Sequence, residues 1–281
     1  MDIRKITDEN IEEYADIFEP DAITDIKREF YRGIALHEAG NDSANAAIIW
    51  ELKNTEEDID TEAELEYLYL GDASSGDKLF DAYKDEIAGD NVRKSYFEFE
   101  NPEADVEKVT GKAGFDPKSK ESRDIVVTVE ELASLSFVKK QTVPYITAIS
   151  ELMVRQYRKG ITNCLFHGRK GLLEDLAFLP MSYFDQDVSS CVQTDGKANG
   201  FLLVHKTSKD ELIVDLLFAM EPDAKANLAH MLRYSINAAA EKYPPDTKVY
   251  LRRHNTMTVE IIKKLFPDKQ GSTVLAGERG E

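Results

Sequence analysis

The chain has 281 residues, 42% hydrophobic and 31% charged, with a net charge of −18; this is enough apolar material for one large core or two ordinary ones, and it excludes a disordered chain. No apolar run reaches the roughly 18 residues of a membrane span, and no basic and apolar leader precedes the first strand pattern at Asp2, so a cytoplasmic protein without membrane contact is expected. Residues 1–140 hold 36 acids against 17 bases and residues 141–281 hold 17 against 18, a distribution that repels nucleic acid and suits a small amine or other cationic acceptor.

In chain order, Ile3–Ile6 reads as a strand, followed by a capped helix through Ile11, Tyr14, Ile17 and Phe18 and a second helix over Asp21–Phe30. Gly33–His37 and Ala46–Leu52 then alternate like a hairpin about the turn Gly40-Asn41-Asp42, and Ala63–Leu70 follows as a third strand. A loop over Gly71–Asp77, a helix through Leu79, Phe80, Tyr83 and Ile87, a strand over Ser95–Glu100, a helix opening at Asn101-Pro102 and a strand over Asp124–Glu130 complete the first half.

The order then repeats, and internal repetition is a strong architectural signal. Val143–Ala148 supplies a first strand, Ser150–Phe166 and Leu172–Phe178 supply helices, and Ser190–Gln193 and Gly200–His205 flank the hairpin turn Thr194-Asp195-Gly196-Lys197. Leu212–Met220 is a nearly continuous apolar run, hence a central buried strand, and Ala226–Lys242, Lys248–Leu251 and Thr256–Leu265 read as helix, strand and helix. The polar stretch Lys139–Thr142 serves as linker, giving domains 1–138 and 139–281.

The two cysteines, Cys164 and Cys191, stand in a helix pattern and a strand pattern with no CxxC and no HxxxH nearby, and read as buried apolar thiols; no metal site is expected. Trp50, Tyr67, Tyr69 and Tyr96 alternate on strands and read as core, and His205 and His230 receive no role.

This element order, met twice, resembles the GNAT superfamily of acetyltransferases. The stretch "SYFDQDVSSCVQTDGKANGFLLVHK" (182–206) carries the resemblance best, and "RGIALHEAGNDSANAAIIWELKN" plays the same part in the first half. The resemblance implies an α/β (α+β) fold of two tandem GNAT-like domains, each a mixed central sheet with helices on both faces. It also implies acetyl-CoA as co-substrate and direct attack of an amine on the thioester. The family's pyrophosphate loop, Gln/Arg-x-x-Gly-x-Gly/Ala, is degenerate in both halves: "EPDAKANLAHML" stands in its place in the second and "GDASSGDKLF" in the first, where Gly71, Ser74, Ser75 and Gly76 offer an amide nest.

The near-neutral second half, with Lys225, Arg252 and Arg253, is the better host for polyanionic CoA. Its candidate cofactor contacts are Phe218 and Met220 on the central strand, Lys225, Ala226, Asn227 and Leu228 at the following helix start, and Asn255 at the opening of the last helix. Asp215, amid Leu, Ile and Val, must be paired or shifted in pKa and is the candidate base; Glu66, with Glu64 on its strand, is the first-half counterpart. The family's general-acid tyrosine falls near Ile262 in the second half and Lys108 in the first. Two functions follow: an N-acyltransferase moving an acetyl group from acetyl-CoA to an amine, or a catalytically inactive tandem module that binds ligands or partners.

Overall fold

The computed structural model describes residues 1–38, 40, 43–54, 61–100, 102–122, 124–167, 176, 179–220, 222–252 and 256–280. The chain folds as two units, Met1–Ser122 with Ser272–Glu281, and Arg123–Gly271. The proposed linker at 139–142 lies inside the second unit. Among the described residues no helix is long and apolar enough to cross a membrane.

The first unit contains β1 (Asp2–Ile6), α1 (Pro20–Asp25), β2 (Tyr31–His37), β3 (Ala44–Asn54), β4 (Thr61–Leu70), α2 (Ala73–Ala88), β5 (Val92–Phe99), α3 (Ala104–Lys112) and β6 (Lys118–Glu121). The expected opening helix is reduced to a 3-10 turn, Ile11–Tyr14, and α1 stops at Asp25. Alternation decides the two faces. Ile34, Ile48, Trp50 and Leu65 meet Leu79, Phe80 and Tyr83 of α2 and Val106 and Val109 of α3, while Ala35, Ala47 and Ile49 meet Ile11, Tyr14, Ala22 and Ile26. Full burial of each large side chain contributes about 1.5–3 kcal/mol. Trp50 and Tyr96 are core, as expected, and Tyr67 and Tyr69 pack partly buried against it.

The second unit contains β7 (Asp124–Thr128), α4 (Val129–Ala133), β8 (Ile146–Ala148), α5 (Val154–His167), β9 (Ser190–Thr194), β10 (Lys197–Lys206), β11 (Leu212–Ala219), α6 (Ala224–Lys242), β12 (Lys248–Arg252) and α7 (Thr256–Leu265). The helix expected over 172–178 lies outside the described residues apart from Leu176. One sheet face packs on α4, α6 and α7 through Leu202, Val204, Leu228, Met231 and Ile262. The other packs on α5 through Tyr157, Ile161 and Cys164 against Phe201 and Leu203. Gly160 permits that approach, since a Cβ there would stand 2.8 Å from Phe201. Cys164 and Cys191 are buried and free, and burial pushes their thiols up to about 12 and about 11.

The chain closes with β13 (Thr273–Gly280), which returns to the first sheet. The sheet orders are β1-β2-β3-β4-β5-β13-β6 and β7-β12-β11-β10-β9-β8. β13 lies antiparallel between β5 and β6, with Leu275 opposite both Phe99 and Ser119. β7 lies antiparallel to β12, with Val127 opposite Val249. The last half of the sequence thus supplies a strand to the first sheet, and Asp124–Thr128, read as the end of the first half, supplies one to the second.

Candidate active site

In each unit two parallel strands pair and then part. β4 and β5 pair from Thr61–Val92 to Leu65–Phe97, and β11 and β12 pair from Leu212–Val249 to Val214–Leu251. Beyond those points β4 runs on to Leu70 and β11 to Ala219 without a parallel partner among the described residues. A β-bulge sits at the same place in both. The β3–β4 register passes from Ile49–Tyr67 to Trp50–Leu65, leaving Glu66 as the extra residue. The β10–β11 register passes from Leu203–Leu216 to Val204–Val214, leaving Asp215. Bulges interrupt the ladder and re-aim a side chain, here just past the last parallel pair.

The surroundings of the two carboxylates differ. Beside Glu66 lie Glu51 and Glu64, with carboxylate oxygens all within 4.8 Å of one another. Lys53 Nζ fills that space, bonded to Glu64, 2.9 Å from Glu51 and 3.7 Å from Glu66. Burial alone would lower the Lys53 pKa, but the charges of Glu64, Glu51 and Glu66 override it and hold the ammonium well above its ordinary value. Arg28 Nη2 lies 3.4 Å from Glu51, Tyr96 donates to Glu64 at 3.2 Å, and Tyr67 donates to Asp25 at 2.9 Å. This is an internally satisfied ionic network, with the chain's own ammonium at its centre.

In the second unit Asp215 is 8% exposed and its Oδ2 lies 2.6 Å from Nδ1 of His205 on the neighbouring β10. The Tyr183 ring sits 5.0 Å from the His205 ring. On α5 the Tyr157 hydroxyl is buried with no hydrogen-bond partner among the described residues; burial, and then the Asp215 charge, raise its pKa well above the ordinary tyrosine value. His205, given no role from sequence, is the residue the fold brings against Asp215. Its only signal was an imidazole on one hairpin strand facing a lone buried aspartate on the next.

The helices that begin beyond the parted strands also differ. In α2, Asp72 is the N-cap: it accepts from Ser75 N at 3.0 Å and Ser75 Oγ at 2.7 Å, and also bonds the Ser74 hydroxyl. Those hydroxyl and amide donors pull its pKa down to about 2. The glycines proposed as a nest have packing reasons instead. A Cβ on Gly76 would meet Val109 at 2.3 Å, and one on Gly71 would meet the Asn45 carbonyl at 2.8 Å. At the first turn of α6, by contrast, Asp223 makes no side-chain cap among the described residues.

Of the proposed CoA contacts, Lys225 and Ala226 are exposed on that first turn and Asn227 is partly buried beside them. Leu228 turns into the core at 2% exposure and offers no side chain to a ligand. Phe218, still paired with Phe201 of β10, lies on β11 beyond its last parallel pair with β12, and Met220 follows the strand, its N donating to the Asn199 carbonyl at 2.9 Å. Asn255 and Arg253 lie outside the described residues. At the general-acid position Ile262 is buried in the core and Lys108 is exposed.

No family model matches the chain, and no curated protein matches it in sequence. Solved structures do match its fold. A tandem GNAT protein from the clavulanic acid biosynthesis pathway superposes with a TM-score of 0.62 at 8% identity, over 99% of this chain and 98% of that one. A GNAT N-acetyltransferase from Kribbella flavida gives 0.55 at 12% identity, over 99% and 71%. Another, from Anabaena variabilis, gives 0.54 at 12% identity, over 99% and 72%. The chain has the tandem GNAT fold, with a mixed sheet and helices on both faces in each unit.

Proposed function

We propose that the chain is an N-acyltransferase whose working half is the second unit. Acetyl-CoA enters the gap where β11 leaves β12, its pyrophosphate resting on the open first turn of α6 beside Lys225. Backbone groups of β11 beyond Val214 hold the pantetheine arm and polarise the thioester carbonyl. A small amine attacks that carbonyl, with base catalysis seated at Asp215 and the group bonded to it. The observation that carries this reading is the bulge that sets Asp215 at the point of parting. The first unit, with its capped helix and filled carboxylate cluster, is the structural half. Acidity of the first half argues against nucleic acid as a partner, and the cytoplasm is the proposed location.

Calorimetric titration with acetyl-CoA and thiol release with a panel of primary amines test this reading. No heat of binding at millimolar acetyl-CoA would sink it. A second reading, a non-catalytic tandem module, is favoured by Ile262 and Lys108 at the acid position, and acetyl-CoA binding with no turnover on any amine is its expected signature.

A further inference from the structure

We infer that the group receiving the proton from the acceptor amine is Nε2 of His205, with Asp215 as the residue that positions it; this rests on the acyltransferase reading above. A carboxylate has only acceptor oxygens, so the 2.6 Å contact with Asp215 Oδ2 requires the proton on Nδ1. The neutral imidazole then carries its lone pair on Nε2, which has no partner among the described residues. Asp215 itself is 8% exposed and already engaged, whereas His205 remains partly open. His205 alternates in phase with Phe201 and Leu203, which pack on α5.

The reaction balances on one imidazole. The lone pair of the neutral amine forms the C–N bond to the thioester carbon, the N–H proton passes to His205 Nε2, and the C–S bond breaks with its electron pair leaving on sulfur. The imidazolium then returns that proton to the thiolate, releasing amide and free CoA. Asp215 keeps its hydrogen bond to Nδ1 throughout and holds the ring in place.

The groups around His205 support this balance. From β11 it meets Asp215, and from the 3-10 turn Met181–Tyr183 the Tyr183 ring. In the following loop Asp185 donates its amide to the Val204 carbonyl but commits its carboxylate to Lys242 at 2.8 Å and to Tyr243. Lys206 is paired with Asp210 at 2.7 Å, and Tyr250 of β12 stands opposite Ile213, the cross-strand neighbour of His205. Asp215 is therefore the carboxylate that governs this imidazole.

The test joins imidazole nitrogen NMR on the full chain with the pH profile of kcat/KM for acetyl transfer to the probe amines benzylamine and putrescine. Expected are an Nδ1–H tautomer in the wild type and a loss of at least about 100-fold in His205→Gln, the scale of general base catalysis. Asp215→Asn should lose the tautomer preference and move the acid limb of kcat/KM to lower pH, because removing the anion destabilises the imidazolium. If Asp215→Asn does not fold, the wild-type tautomer and His205→Gln decide. An Nε2–H tautomer, or His205→Gln within threefold of wild type, would overturn the inference alone. Wild type that neither binds acetyl-CoA nor transfers acetyl overturns the acyltransferase reading first.

Discussion

Glu66 in β4 and Asp215 in β11 occupy the same place in their sheets, each the extra residue of a bulge that follows the last parallel pair with the next strand. What separates them is the partner: an ammonium at 3.7 Å for Glu66 and an imidazole at 2.6 Å for Asp215. An ammonium held charged by three carboxylates cannot exchange a proton near neutral pH, whereas an imidazole can. Acetyl transfer is therefore expected to survive Glu66→Gln within about twofold and to fall by roughly 10–100-fold in Asp215→Asn. Parallel thiol-release assays check both.

Lys53→Met should destabilise the first unit. It strips the cation from Glu51, Glu64 and Glu66, and with the lysine side chain 20% exposed the cost lies between the surface and buried limits, roughly 2–3 kcal/mol. Without the ammonium three neighbouring carboxylates face one another unneutralised while ionised. The deficit is then full at neutral pH and shrinks as pH falls into the carboxylate range. Urea melts of variant and wild type at pH 7 and pH 4.5 measure the difference.

Asp72→Ala should cost about 1 kcal/mol at pH 7 through loss of the α2 N-cap. The folded-state pKa of Asp72 is depressed to about 2, so its stabilisation is present above the unfolded carboxylate pKa and disappears as pH falls through about 2. Denaturation of wild type and variant should therefore differ most near neutrality and converge in acid.

Lys225→Glu should weaken acetyl-CoA binding by about 1 kcal/mol, roughly fivefold, with a smaller gap at high salt, because it reverses a charge on the open first turn of α6. Ser74→Ala should leave the affinity unchanged, since Asp72 already closes that helix end. Calorimetry at low and high salt distinguishes the two.

Gly76→Ala should destabilise by roughly 1–3 kcal/mol, because α2 and α3 approach so closely that the added carbon overlaps Val109. A thermal melt tests this, and an unchanged midpoint would contradict the packing account of that glycine.

What the sequence determined by itself was local. The alternating or apolar runs Gly33–His37 and Ala46–Leu52, the Asp195-Gly196 turn with both residues at positive φ, and the apolar run of β11 fix strands and hairpins within a few residues of their neighbours. Repetition of that local order disclosed two sheets, and the isolated aspartate among Leu, Ile and Val marked Asp215.

Only the tertiary structure decided the rest. β6 is four exposed charged and polar residues with no apolar period, and it exists because β13 pairs with it across about 150 residues of chain. Nothing local tells Asp124–Thr128 that its ladder partner is β12. The bulges at Glu66 and Asp215 are mismatches between two strands, and the choice of ammonium for one and imidazole for the other depends on which neighbour each bulge turns its side chain toward. Such relations are set when distant segments are brought into one sheet, where register and burial select the contacts that hydrophobic period leaves open.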